Sequence, residues 1–244
     1  MSVALRTEAV TRRFGGITAL AGCSIQVREG SITGLIGPNG SGKTTLFNVI
    51  TGFYRPHAGE VYLDGRRITG LRPHQVCHLG LGRTFQITRL FWNLSVLENM
   101  IVPLRKVGVR SLLGPGRLKA EEERALELLE RVGLLHLKDE PAVKLSFGQQ
   151  KLLEFAAVLM SEPHLVLLDE PAGGINPTMV QFLAELIREL NGQGVTFLVV
   201  EHNMGLVMEL CDWVLVLDQG RLLAEGPPDE VRANPAVLEA YLGV

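Results

Sequence analysis

The sequence predicts an α/β fold with a mostly parallel core sheet, an antiparallel β portion near its start and a helical insertion in its middle. Three observations carry this. Apolar runs of strand length, Leu165–Leu168, Val195–Val200 and Val214–Leu217, alternate with helical patterns in the last part of the chain. Ser24–Arg28 and Glu60–Gly65 alternate polar with apolar residues. A glycine-rich turn, Gly37–Gly42, stands between a strand pattern and a helix pattern.

Continuous apolar strands separated by helices mark a parallel sheet buried on both faces. Strict alternation marks strands with one wet face, the antiparallel habit. In order, Ser24–Arg28 reads as such a strand, Ser31–Ile36 as a more buried one, and Lys43–Ile50 as a helix stopped near Gly52. Glu60–Gly65 is a second alternating strand. Gly108–Gly116, bearing Gly and Pro, reads as a surface loop. Glu121–Val132 reads as an amphipathic helix with Leu126, Leu129 and Val132 on one face. Phe147–Met160 is a helix ended by Ser161-Glu162-Pro163. Asn176 and Pro177 suit the cap and first turn of a helix running to about Leu190, where Asn191-Gly192 ends it. From Pro227-Pro228 to the end, short helical segments are expected.

The 244 residues fit a single domain. Residues 1–90 and 146–244 are expected to form a core with the antiparallel portion, and about 91–145 a helical portion. Hydrophobic residues make up 46% and charged residues 20%, which describes a packed globule. The formal net charge of −2 and the lack of a dense Lys/Arg stripe argue against a nucleic-acid partner. No stretch approaches the ~18–20 apolar residues of a membrane-spanning helix. The first residues carry no basic cap, apolar core or cleavage site, so no signal peptide is expected. Cys23, Cys77 and Cys211 are far apart and make no Cys-x-x-Cys pair. Three thiols in a reducing compartment is the expected reading.

Gly37-Pro38-Asn39-Gly40-Ser41-Gly42-Lys43-Thr44 fits G-x-x-x-x-G-K-[ST] in the strand–loop–helix setting that the motif requires. A triphosphate needs several backbone N–H groups converging on its oxygens. Glycine lets the chain curl and come close, and the following helix aims its positive end at the same place. Lys43 adds a mobile charge, the Thr44 hydroxyl can hold Mg²⁺, and Thr45 completes the nucleotide-binding set. Leu165–Leu168 runs into Asp169 and Glu170, and strand ends of a parallel sheet open onto its ligand crevice. Asp169 is thus a candidate Mg²⁺ ligand. Glu170 is a candidate general base for water, a role worth ~10²–10⁴-fold in rate.

Leu145-Ser146-Phe147-Gly148-Gln149-Gln150 precedes that acidic strand. Ser146 can cap a helix whose first N–H groups, with Gly148, make a second anion site. In place and order, this segment resembles the Leu-Ser-Gly-Gly-Gln signature of ABC ATPases, a branch of the phosphate-loop NTPases. The resemblance implies that Ser146, Gly148 and Gln149 grip the γ-phosphate of ATP held by a partner subunit, so the active form is a dimer. It implies further roles one by one. Gln86, in Arg83-Thr84-Phe85-Gln86, is similar to the glutamine that touches Mg²⁺ and the attacking water. His202 is similar to the histidine that contacts the γ-phosphate. Phe14 is similar to the aromatic that stacks on adenine, and base–aromatic stacking is worth ~1–3 kcal/mol.

The resemblance covers essentially the whole chain. Thr51–Pro56, Arg83–Gln86, Arg89-Leu90-Phe91, Asn176-Pro177, and Asn234-Pro235 through Tyr241-Leu242-Gly243 narrow it to the LivG-type ATPases of branched-chain amino acid importers. That implies an ATPase on the cytoplasmic face of the inner membrane, peripheral through transmembrane permease subunits. It also implies a second ATPase subunit, identical or homologous, and indirectly a solute-binding protein. Phe91, Trp92 and Leu94 suit a docking surface toward the membrane subunits, and suit a core role nearly as well. Two positions depart from the family pattern. Phe147 replaces the first signature glycine, and Asn176 stands where many members have Asp. Rival readings are a phosphate-loop GTPase or kinase, a soluble ABC protein of repair or translation, and an exporter subunit. No Asn-Lys-x-Asp guanine reader, long coiled-coil insertion or second cassette occurs in the sequence.

Overall fold

The computed structural model describes residues 2–86, 88–102 and 115–242. Ten strands and nine α-helices are found among them. The strands are β1 (Val3–Phe14), β2 (Ile17–Arg28), β3 (Ile32–Ile36), β4 (Ala58–Leu63), β5 (Arg66–Arg67), β6 (Leu81–Arg83), β7 (Leu165–Asp169), β8 (Thr196–Val200), β9 (Trp213–Asp218) and β10 (Arg221–Gly226). The helices are α1 (Lys43–Ile50), α2 (Pro73–Cys77), α3 (Val96–Ile101), α4 (Pro115–Arg131), α5 (Phe147–Leu159), α6 (Pro177–Gly192), α7 (Met204–Leu210), α8 (Pro228–Ala233) and α9 (Pro235–Leu242).

Two sheets organise the chain. A four-stranded sheet has the order β2-β1-β4-β5, and its paired strands are antiparallel. A six-stranded sheet has the order β10-β9-β3-β8-β7-β6. Strands β9, β3, β8, β7 and β6 run parallel, and β10 closes the edge antiparallel to β9. The alternating segments therefore lie in the antiparallel sheet and the continuous apolar segments in the parallel one, as their patterns require.

The parallel strands explain their own composition. In β8, Phe197 and Val199 join one apolar cluster, while Leu198 and Val200 join the other. Strands β7 and β9 divide in the same way, with Val166, Leu168, Val214 and Val216 toward α4–α7, and Leu165, Leu167, Leu215 and Leu217 toward α1 and the antiparallel sheet. With both faces buried there is no wet side to mark with polar residues. Each such side chain contributes ~1.5–3 kcal/mol of burial.

Three sequence expectations need correction. In α4 the buried stripe is Ala125, Leu128 and Leu129, continued by Val132 just past its end, and Leu126 is only half-buried. The packed face is centred slightly to one side of the leucines first singled out, with Ala125 and Leu128 in the core cluster. Of the loop expected over Gly108–Gly116, the part up to residue 114 lies outside the described residues. Pro115 and Gly116 already belong to α4, where a proline in the first turn loses no intrahelical hydrogen bond. The first hairpin is also much longer than the segment Ser24–Arg28 foretold, since β1 and β2 are 12 residues each. Gly243, the end of the tail motif, lies outside the described residues.

Phe197 is 0% exposed in the centre of the parallel sheet. Phe197→Ala should therefore cost about 3–5 kcal/mol of stability, read as a fall in the urea midpoint at unchanged m-value.

Candidate functional site

Parallel register decides where the site is. Ile36 pairs with Val216, Arg83 with Leu167, and Asp169 with Val200, so β3, β6, β7, β8 and β9 all finish at one edge. The residues just beyond those ends are Gly37, Thr84, Glu170 and Glu201.

The turn 37–42 leaves β3 and enters α1 directly. Gly37 has φ +148°, and a Cβ there would lie 2.0 Å from the Leu217 carbonyl oxygen. Gly42 has φ +108°, and a Cβ there would lie 2.6 Å from the Ala19 carbonyl oxygen. These two glycines are steric requirements of the curl. The turn is braced from behind, because the Gly220 N–H donates to the Ser41 carbonyl at 2.9 Å and the Ala21 N–H to the Gly220 carbonyl at 2.9 Å. Helix α1 begins with no side-chain cap and no acidic residue in its first turn. Its first N–H groups therefore keep their capacity for an anion. Lys43 is 6% exposed, and its Nζ donates to the Gly37 carbonyl at 2.8 Å, the Pro38 carbonyl at 2.9 Å and Ser41 Oγ at 3.4 Å. Burial lowers its pKa, and the charges of Glu170 and Asp169 oppose the fall. Asn39, Gly40 and Thr44 are exposed and Thr45 is half-buried.

Asp169 is 2% exposed. Its Oδ2 accepts from Arg83 Nη2 at 3.0 Å, and the side chains of this pair are 6% and 1% exposed. Arg83 also donates to Asn48 Oδ1 at 2.8 Å and Thr51 Oγ1 at 3.0 Å, and so ties the end of β6 to α1. Burial pushes the Asp169 carboxyl upward against the pull of Arg83. Its other oxygen, Oδ1, is buried with no hydrogen-bond partner. Such a buried, unpartnered carboxylate oxygen fits a hard oxygen-seeking cation such as Mg²⁺. Among the described residues no three His, Cys, Asp or Glu side chains converge on a metal position. A Mg²⁺ shared with phosphates needs only one or two carboxylates.

Glu170 has φ +50°, outside the range a non-glycine residue usually takes. Its N–H, carbonyl and carboxylate are all held. Its N–H donates to the Val200 carbonyl at 2.9 Å, its carbonyl accepts from Lys151 Nζ at 2.6 Å, and its carboxylate is clasped at both oxygens. Gln86 Nε2 donates to Oε2 at 3.0 Å, and His202 Nε2 lies 2.9 Å from Oε1. The structure thus joins Gln86, Glu170 and His202, which are far apart in sequence. Glu201, 3% exposed, steadies two of the loops concerned. Its Oε1 accepts from the Ala172 N–H at 2.7 Å, and its Oε2 from the His202 N–H at 3.2 Å.

The signature residues are not brought to this cluster. Ser146 caps α5 through a reciprocal box, with the Gln149 N–H donating to Ser146 Oγ at 3.4 Å and the Ser146 N–H to Gln149 Oε1 at 2.9 Å. Ser146 is exposed and Gly148 half-buried, and among the described residues neither they nor Gln149 hydrogen-bonds to the turn 37–42. Phe147 lies against Gly174, where an added Cβ would come 2.8 Å from its ring. Asn176 caps α6, its Oδ1 accepting from the Met179 N–H at 2.9 Å. Phe14 ends β1, 39% exposed, edge-on to Tyr54 at 5.2 Å and under the Arg12 guanidinium at 4.7 Å.

Sequence reasoning missed the roles of Arg83 and Glu201. Both were in view, beside Gln86 and His202, but a single charged residue at a strand end looks like a solvated one. Only their burial tells them apart.

A family profile described as "ABC transporter" matches residues 20–173, and one described as "Branched-chain amino acid ATP-binding cassette transporter" matches residues 221–244. The high-affinity branched-chain amino acid transport ATP-binding protein LivG of Salmonella typhimurium is 44% identical over 98% of this chain and 97% of its own length. BraF of Pseudomonas aeruginosa, of the same description, is 42% identical over 98% and 97%. A solved ATP-binding cassette of an ABC transporter in its ADP conformation superposes with TM-score 0.88 at 36% identity, covering 100% of both chains. A bacterial ABC transporter cassette solved as a dimer gives TM-score 0.80 at 27% identity over 92% of this chain and 98% of the other.

Removing Arg83 strands a buried carboxylate. Arg83→Ala should destabilise the fold by about 3–5 kcal/mol in urea unfolding. Arg83→Lys should restore only part of the loss, since an ammonium cannot span Asp169, Asn48 and Thr51 in one plane.

Proposed function

This chain belongs to the ABC transporter ATP-binding family and is an ATPase subunit; from that premise we propose that it powers an importer of branched-chain or other hydrophobic amino acids. The names of its relatives and the matched terminal segment 221–244 support that substrate class.

We propose the following division of labour. Residues 37–45 wrap the phosphates of ATP, with Lys43 turning from its loop carbonyls to the β and γ phosphates. Phe14 stacks on adenine. Thr44, Asp169 and Gln86 are the protein ligands of Mg²⁺, which when bound spreads the phosphate charge. Ser146, Gly148 and Gln149 engage the γ-phosphate of ATP held by a second ATPase subunit. Glu170 takes the general-base role, orienting water for in-line attack. Gln86 aligns that water, and His202 holds the other carboxylate oxygen and meets the γ-phosphate. The observation that carries the assignment is the Glu170 carboxylate, clasped by Gln86 at 3.0 Å and His202 at 2.9 Å at the mouth of the phosphate turn. Catalysis is then positioning plus electrostatics. Loss of the shared γ-phosphate releases the two subunits from one another.

The chain is a component of an ABC transporter. We propose that it sits at the cytoplasmic face of the membrane, bound to permease subunits that themselves receive solute from a binding protein. No described helix is long and apolar enough to cross a membrane. The portion over about 91–145 is the proposed contact with the permease. Phe91 and Trp92, 52% and 41% exposed, supply apolar surface there, beside half-buried Leu94.

Glu170→Gln tests the assignment. It should keep ATP affinity, lower turnover ~10²–10⁴-fold and accumulate an ATP-dependent dimer on size exclusion. Unchanged turnover would remove Glu170 from the role. Lys43→Ala should abolish measurable ATP binding by titration while leaving the unfolding temperature near that of the parent.

A further inference from the structure

Helix α5 carries the signature at its start and a buried acid farther along. Glu154 is 7% exposed. One of its oxygens, Oε1, accepts from the Phe85 N–H at 3.3 Å and from the Arg89 N–H at 3.2 Å. Those two donors stand on either side of Gln86, so a single carboxylate oxygen closes the loop that presents it. Burial pushes the Glu154 carboxyl up to about 7, against the lowering pull of the two backbone N–H groups and of the Lys151 and Arg89 charges.

The same helix face holds the other half of the cluster. Lys151 and Glu154 are spaced i, i+3 and so lie side by side on α5. Lys151 Nζ donates to the Glu170 carbonyl at 2.6 Å. Thus α5 grips the backbone of Glu170 with one side chain and the backbone around Gln86 with the next. Between these grips runs the Gln86–Glu170 bond at 3.0 Å. Phe85 also makes ring contacts, with Arg89 3.9 Å and Arg83 4.8 Å over its ring and Phe53 edge-on at 5.7 Å.

We propose that Glu154 is a positioning residue, fastening the Gln86 loop to the signature helix so that α5 sets Gln86 and Glu170 relative to each other. The inference rests on the roles given above to Gln86 and Glu170. It adds a route by which engagement of the signature by a partner's nucleotide moves the water-aligning glutamine.

The test is a double-mutant cycle on the full chain, with steady-state ATP turnover and equilibrium binding of a non-hydrolysed ATP analogue. Glu154→Gln keeps an oxygen in place and should hold kcat within about threefold of the parent. Glu154→Leu removes the acceptor and should lower kcat about 10- to 100-fold, because misplacing a catalytic group by an ångström carries a penalty of that order. Analogue affinity should stay within about threefold in both, since neither change touches the phosphate turn. On a Gln86→Ala background, Glu154→Leu should add almost nothing. Parent-like kcat in Glu154→Leu, or effects that multiply in the double variant, overturns the proposal. Parent-like turnover in Gln86→Ala alone instead overturns the role of Gln86. Amide exchange in the parent guards against a misfolded variant: the Phe85 and Arg89 N–H groups should be protected, and free exchange at both sinks the idea.

Discussion

The site depends on one geometric constraint, the common direction of β3, β6, β7, β8 and β9. A parallel sheet delivers every strand's carboxyl end to the same edge. The phosphate turn, the Gln86 segment, the acidic pair and the His202 segment are then neighbours, although the chain separates them widely. Reversing any one strand would send its functional residue to the far side of the molecule. Burial on both faces of the sheet locks the register, because a one-residue slip would exchange the two apolar faces.

Around that edge, charge is buried only where it is answered. Lys43 lies in carbonyls of its own turn, and Asp169 faces Arg83. Glu201 and Glu154 satisfy backbone N–H groups of the loops they support. Unanswered, each buried ion would cost several kcal/mol. The strain at Glu170, φ +50°, costs of order 1–3 kcal/mol and persists because N–H, carbonyl and carboxylate are each held. Asp169 Oδ1 is a separate matter, since it lacks a protein partner in a site suited to a cation.

The departures from the family pattern acquire physical meaning here. Phe147 fills the space beside Gly174, so a side chain occupies what a second glycine would leave open. Asn176 does the work of a helix cap, which Asp would do equally well, as both accept an N–H at that position. The Phe147 ring also lies 5.5 Å from Lys151 Nζ, the group that holds the Glu170 carbonyl.

By itself, the sequence determined the parts whose chemistry is local. The glycines of 37–42 followed from the curl they must make, the caps Ser146 and Asn176 from their position before helical patterns, and the parallel strands from apolar runs without alternation. The apolar strand ending in two acids pointed to Asp169 and Glu170, and residue resemblance named Gln86 and His202 one at a time. Their meeting, and the meaning of Arg83, Glu154 and Glu201, was decided only by tertiary structure. Whether a charged side chain is solvated or buried against a partner depends on residues distant in the chain, and no local pattern records that. The stripe of α4 makes the same point in the core, since the helix periodicity was legible but the facing side was set by what it packs against.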